Sequence, residues 1–384
     1  MEVFYSLQAL GYFIDENIVN QLKLCPASLL EVRAKFFLKY RTYLRRATKL
    51  WLKSIVNGKL KLRGDPMVWL LLLLLIFGFL VYYVYRTSVL KKGVRYFVSA
   101  IIMRNNEWYE KEGRKKLGIP YKERIATKSS AFWTQGSECT VTTADDLILT
   151  AEVFDQCAKT WVICLHGYRS DGQADCQEAA EKFWSAGYNV LVTDLRAHGR
   201  SEGKEIGLGW LDRMDLLLWI DKILEKDPQT QIFLYGLGMG AATLLLASGE
   251  VMPMQVAGLI SDSSYTSVYS AIRSSLPQFS RLPIKRFLRL ANRYSKQLVG
   301  YPFLQISVTR QVGSNHLPVL FLQGEKDSFL SEKEINTLME ATAGPKQKVL
   351  FANMGHLQAV KDAPEYWPTV LQFIENIKQN TDIV

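Results

Sequence analysis

The stretch LYGLGMGAAT, Leu234 to Thr243, carries glycines at alternate positions: Gly236, Gly238 and Gly240. An apolar run from Gln231 to Tyr235 precedes it, and an Ala/Leu-rich run follows. The pattern reads as a strand, a tight turn and a helix. Two chemistries use such a turn. One cradles a dinucleotide pyrophosphate on backbone amides at a helix N-terminus. The other presents a nucleophile on a sharp elbow. The first pattern is satisfied locally, because Gly236, Gly238 and Ala241 spell G-x-G-x-x-A and Asp262 closes the next apolar run. A dinucleotide fingerprint, however, opens its βαβ unit. Here at least two strand–helix units come first.

Working outward, strands are expected at 147–154, 160–166, 189–194, 231–236, 256–262, 318–323 and 347–353. Helices are expected at 174–185, 210–225, 239–248, 331–341 and 366–378. Continuous apolar strands alternating with helices predict an α/β fold, with a mostly parallel sheet buried on both faces. Four further motifs sit where strands end. They are His166-Gly167-Tyr168 with Arg169 behind it, DLRAHGRS from Asp194 to Ser201, Asp327 in QGEKDSFL, and His356 in NMGHLQA. The carboxyl ends of strands are where open α/β sheets bind ligands.

From about Thr140 to Ile377 these motifs resemble the α/β-hydrolase superfamily. The stretches LHGYRSD, DLRAHGRSEG, WLDRMDLLLWI, YGLGMGAAT, ISDSSYTS, GEKDSF and MGHLQA carry the likeness. It is greatest to membrane-anchored bacterial hydrolases of the serine aminopeptidase and lysophospholipase-like kind. The resemblance implies an elbow G-x-S-x-G, with nucleophile, acid and base in the chain order Ser, Asp, His. Gly236 and Gly240 match the elbow glycines, Asp327 the acid and His356 the base. The backbone N–H groups of Tyr168 and Met239 match the oxyanion hole. Acyl esters or peptides are the implied substrate class.

The departure is Gly238, which stands where the family has serine. The elbow residue has φ above zero, a conformation that strains other residues and that glycine adopts freely. The turn is therefore expected to form, but without an attacking oxygen no acyl-enzyme can arise at Gly238. A water activated by His356 would be slow. The alternative is a non-catalytic protein that binds a ligand in the retained pocket, with Asp327 and His356 tying two loops together. Ser263 and Ser264 are the nearest hydroxyl candidates for a relocated nucleophile. His166 and His198 are expected to shape turns through hydrogen bonds, Trp210, Trp219 and Cys164 to be core, and His316 to lie in a loop.

The 384 residues carry a net charge of +10, and Lys and Arg crowd 33–124 and 273–310. Residues 67–85, MVWLLLLLLIFGFLVYYVY, contain no charge. As a helix they would span about 28 Å, the thickness of a bilayer core. Trp69, Tyr82, Tyr83 and Tyr85 suit its interfaces. No cleavage site follows, so a single-pass signal anchor is expected. Five Lys/Arg precede the segment closely and five follow it. The positive-inside rule is thus nearly balanced. The reading adopted places the amino terminus inside and the main domain outside.

The expected organisation is a basic leader at 1–66 with an amphipathic helical stretch, the membrane helix at 67–85, a helical stalk at 86–139 and the hydrolase domain at 140–384. Within that domain, about 264–316 breaks the strand–helix alternation and reads as a helical lid. Its Arg281, Lys285, Arg286, Arg289 and Arg293, interleaved with Leu282, Phe287, Leu288 and Leu290, form either a solvated face or a membrane-facing one. The five cysteines include no CxxC pair. No metal, cofactor or nucleic-acid partner is expected; the partners are membrane lipid and a small acyl or peptide ligand.

Overall fold

In the computed structural model, which describes residues 66–104, 130–275 and 284–381, the strand-rich half forms one eight-stranded sheet. Its strands are β1 (Ser137–Thr142), β2 (Ile148–Phe154), β3 (Thr160–Leu165), β4 (Asn189–Thr193), β5 (Gln231–Leu237), β6 (Val256–Asp262), β7 (Val319–Gly324) and β8 (Lys346–Phe351). The order is β1-β2-β4-β3-β5-β6-β7-β8. β2 runs antiparallel to β1 and β4, and the pairs from β4–β3 through β7–β8 are parallel. The strand bounds expected from apolar runs hold to within a residue or two. β1 straddles the boundary expected at 139/140 between helical stalk and hydrolase domain, and no strand was expected there. Its sequence, SECTVT, has only half-buried or exposed positions. An edge strand of this kind needs no apolar run, so periodicity did not mark it.

The chain divides into two units, 1–86 and 87–384. Helix α1 (Pro66–Ile102) starts in the first and continues into the second. It is one uninterrupted helix of 37 residues, where a membrane span and a separate stalk were expected. In its first part, Leu73, Leu74, Ile76, Phe77, Phe79 and Val84 are exposed. The segment from Leu72 is long and apolar enough to cross a membrane. Residues 1–65 of the leader and 105–129 of the stalk lie outside the described residues.

The remaining helices cover the sheet. They are α2 (Gly172–Ser185), α3 (Asp212–Lys226), α4 (Met239–Ala247), α5 (Val268–Ser275), α6 (Ile284–Val299), α7 (Val308–Val312), α8 (Glu332–Ala341), α9 (Ala359–Asp362) and α10 (Tyr366–Thr381). The strand–helix alternation breaks at α5–α7, which form the helical insert expected between β6 and β7. Side chains alternate across β3: Trp161, Ile163 and Leu165 enter the core that includes Trp219, Leu244 and Phe287. Val162 and Cys164 enter the core of Phe183, Tyr366 and Trp367. Burial on both faces explains why the central strands read as continuous apolar runs. Trp210 departs from expectation. It is only half-buried, with the Arg213 guanidinium 3.6 Å over its ring, because the helix starts at Asp212 and leaves Trp210 in the preceding turn.

A buried ion pair fixes α3 to the loop after β4. Arg196 Nε and Nη2 donate to the two Asp215 carboxylate oxygens at 2.6 and 2.7 Å. Asp212 lies beside the pair, and burial together with the Asp215 charge pushes its carboxyl up to about 7. Breaking a buried pair from one side strands the other charge. Arg196→Leu should therefore lower the unfolding free energy by about 3–5 kcal/mol in denaturant titrations. The Arg196→Leu/Asp215→Leu double variant should regain part of that loss. The folded state also holds a proton on Asp212 that the unfolded chain gives up near 3.8. The stability this proton contributes is present below that value and is lost as pH rises through about 7. Asp212→Asn should flatten the melting temperature against pH across that window.

Candidate active site

The three glycines of the opening stretch have two different causes. A Cβ on Gly236 would lie 2.5 Å from the Gly240 carbonyl carbon, and one on Gly240 would lie 2.3 Å from the Leu165 oxygen. Both residues are glycine because α4 packs its backbone against β5 and β3 with no space for a side chain. Gly238 differs. A Cβ there would meet Leu357 Cδ1 at 3.7 Å and Gly167 Cα at 3.9 Å, ordinary contact distances. Its demand is conformational: φ is 55° and ψ is −107°, a region sparsely used by other residues. The turn is pinned by Gly238 N–H donating to Asp262 O at 2.9 Å and by Ala242 N–H donating to Gly238 O at 3.0 Å.

The glycine turn therefore fulfils packing roles that a phosphate cradle does not require. Asp262, the candidate ribose-binding acid, is buried beneath the elbow. It accepts from Ser263 Oγ and Tyr366 Oη, both at 2.8 Å, and burial pushes its carboxyl up to about 6. This placement leaves the Asp262 carboxylate engaged with Ser263 and Tyr366 beneath the turn. Ser263 is itself buried at 2% exposure, and its hydroxyl is engaged with Asp262. Ser264 is equally enclosed and donates to the Tyr265 carbonyl.

Asp327 and His356 come together from the loops after β7 and β8. His356 Nδ1 lies 2.7 Å from Asp327 Oδ2. The other carboxylate oxygen of Asp327 accepts from Phe329 N–H and Leu330 N–H, both at 2.8 Å. The acid is thus locked with one oxygen left for the imidazole, and its side chain is fully buried while that of His356 is 31% exposed. A proton held on Nδ1 by the carboxylate leaves Nε2 as the base. The Phe329 ring lies 5.1 Å from that of His356. Leu357, the residue after His356, has φ of 53° and supplies one of the two contacts that a Cβ on Gly238 would meet.

The other contact comes from the His166-Gly167-Tyr168 turn. Gly167 N–H donates to Asp175 Oδ2 at 2.9 Å. His166 donates from Nδ1 to Gly167 O at 2.7 Å and accepts from Leu195 N–H at 3.0 Å. His198 donates from Nδ1 to Arg196 O at 2.8 Å and accepts from Arg169 N–H at 3.1 Å. Both rings are buried and saturated, the turn-shaping roles expected of them. Burial and the neighbouring His166 hold His198 well below the usual imidazole range. Tyr168 follows Gly167, and Met239 opens α4 after Gly238. The first amides of a helix have no intrahelical acceptor, and Met239 N–H is one of these.

Arg169 does more than the motif suggested. Its guanidinium donates to Ala100 O at 2.9 Å, Met103 O at 2.7 Å and Arg104 O at 3.1 Å, at the carboxyl end of α1. Tyr168 Oη donates to Ile101 O at 2.7 Å. In return, the Arg104 guanidinium donates to the Gly199 and Ser201 carbonyls in the loop after β4. This two-way clasp joins the end of α1 to the loop bearing the candidate oxyanion amide. Sequence reading missed it, since acceptors on a helix end 65 to 69 residues away leave no local trace. Two stability outcomes follow from the elbow. Gly240→Ala should collide with backbone and cost about 3 kcal/mol or more, whereas Gly238→Ala should cost only the positive-φ strain of about 1–3 kcal/mol. Chemical denaturation of the two variants side by side measures both.

Comparison with known proteins agrees with this architecture. Residues 156–302 match the family described as serine aminopeptidase, S33. The uncharacterized protein YqkD of Bacillus subtilis (strain 168) is 28% identical over 202 residues, 52% of this chain and 66% of that protein. The caffeoylshikimate esterase of Arabidopsis thaliana is 32% identical over 106 residues, 27% of this chain and 32% of that protein. The chain thus spans less than two thirds of the length of these relatives. Among solved structures, an esterase of Pyrococcus furiosus superposes with a TM-score of 0.53 at 23% identity, over 63% of this chain and 91% of that one. In its strand order, its glycine turn and the loops that carry Asp327 and His356, the described domain has the α/β-hydrolase fold.

Proposed function

We propose that this protein is a membrane-anchored member of the acyl-ester or peptide hydrolase class whose site binds its ligand without forming an acyl-enzyme. The observation that carries this reading is Gly238. It holds the strained elbow conformation beside an Asp327–His356 pair kept at 2.7 Å, with space for a side chain that is absent. A nucleophilic route needs an oxygen or sulfur on that residue. Turnover in the parent chain is left to a water activated by His356 Nε2, with Tyr168 N–H and Met239 N–H receiving the developing oxyanion. Such a route retains binding and oxyanion stabilisation alone, which in serine proteases leaves about 10³–10⁴-fold acceleration over water.

The apolar first part of α1 supports a single-pass anchor. Its exposed leucines and phenylalanines need a non-aqueous surround. The proposed arrangement places residues 67–85 in the bilayer and the hydrolase-fold domain outside the cell.

The decisive experiment compares the parent chain with Gly238→Ser and His356→Ala, using a fluorophosphonate probe and short-chain p-nitrophenyl esters. The parent should not label. Gly238→Ser should label and should raise ester turnover by several orders of magnitude, up to the roughly 10⁶-fold that loss of the nucleophile removes in triad enzymes. Adding His356→Ala to Gly238→Ser should abolish the gain. Labelling of the parent, or a folded but inert Gly238→Ser, overturns the reading. For the anchor, protease should cut the domain on intact cells; cutting only after lysis reverses the orientation.

A further inference from the structure

We infer that the outer face of α6 is a docking surface for an anionic phospholipid bilayer. This rests on the anchored reading above and adds a second, electrostatic contact. Helix α6 is strongly two-sided. Phe287, Ala291 and Ser295 are buried, whereas Arg286, Arg289, Arg293 and Lys296 are exposed. At about 100° per residue these four cations fall within an arc of about 80° on the helix surface. The helix contains no acidic residue.

Two contacts set α6 against the part of α1 that follows the apolar run. The Phe97 and Phe287 rings pack edge to face at 5.1 Å, and the Arg95 guanidinium lies 5.6 Å from the centre of the Tyr294 ring. The same part of α1 exposes Lys91, Lys92 and Arg95, and α1 also lacks acidic residues. Among the described residues, none of these seven cations has a carboxylate partner. Exposed cations elsewhere on the domain are scattered and some are paired, as Lys222 is with Glu225 and Arg200 with Glu138, whereas these seven gather on two touching helices that carry no acidic residue.

Unpaired cations on two touching helices, one of which carries a membrane-length apolar run, fit lipid phosphates and anionic headgroups. Each Lys or Arg held near such a surface contributes about 1 kcal/mol, a roughly fivefold gain in association. The consequence is orientation. The insert bearing α6 leaves the carboxyl end of β6, the edge of the sheet that also carries the elbow and the Asp327 and His356 loops. Lipid contact through α6 would bring that edge to the bilayer surface, where an acyl ligand partitions.

The test uses the full chain in nanodiscs of phosphatidylcholine alone or mixed with phosphatidylglycerol. A benzophenone amino acid is placed at Gln297, exposed at the border of the stripe, and photo-crosslinking to lipid is read by mass spectrometry. Crosslinking should be roughly fivefold or more stronger in the anionic discs and should fall with added salt. In the R286E/R289E/R293E/K296E variant, with folding checked by its melting curve, the preference for anionic lipid should vanish. Equal crosslinking in both lipids, or a preference that survives charge reversal, overturns the inference. So does protection of the stripe by added nucleic acid with no dependence on lipid charge. Failure of the anchor is distinguishable, because the chain would then not incorporate into any disc. In that case sedimentation with anionic but not neutral vesicles supports the α6 surface, and no sedimentation overturns it.

Discussion

The close approach of α4 to the strands beneath it is the constraint on which the site depends. Gly240 lies so near the Leu165 carbonyl that no side chain fits, and Gly236 lies equally close to the first turn of α4. That contact forces the chain to reverse within one residue, and the residue at the reversal takes a positive φ. The reversal lifts position 238 out of the sheet and into the space between the Gly167 and Leu357 loops. The elbow is thus a product of backbone packing. It forms with glycine at position 238, because the packing that shapes it involves no side chain there.

Around this elbow the molecule keeps an organisation more elaborate than a relic needs. The Asp327 carboxylate is held by two backbone amides before it meets His356. Two buried histidines, each donating from Nδ1 and accepting at Nε2, brace the loops after β3 and β4. The Arg169–Arg104 clasp adds a link from the candidate oxyanion loop to the end of α1. The loop that would receive developing charge is therefore held from the helix side and from the sheet side together. Non-glycine residues with positive φ, among them Arg169, Ser263 and Leu357, occur in the loops around the site, where such strain tends to be stored.

Much of this was legible in the sequence, and the exceptions have physical causes. Central strands such as β3 and β5 announce themselves, since burial on both faces makes them continuously apolar. β1 does not, because an edge strand is stabilised by its partner's backbone and not by its own burial. Trp210 looked like core beside Trp219 in the same apolar run, yet the helix begins after it and its ring stacks under Arg213. Asp327 and His356 could be assigned from their positions just past strand ends. Asp175, which receives the Gly167 amide, and Tyr366, which donates to Asp262, belong to helices whose periodicity says nothing about hydrogen bonding.

The sequence by itself determined seven of the eight strands, the order of the motifs and the absence of an attacking atom at Gly238, since these are matters of residue type, spacing and apolar period. Only the tertiary structure separated the three glycines by cause. The outer two are excluded from bearing a side chain by backbone contacts within 2.6 Å, while the middle one has space and lacks only the favourable φ. That distinction depends on which atoms lie across a gap in three dimensions. The same is true of the clasp between Arg169 and the end of α1, whose partners are distant in the chain and meet only when the fold closes.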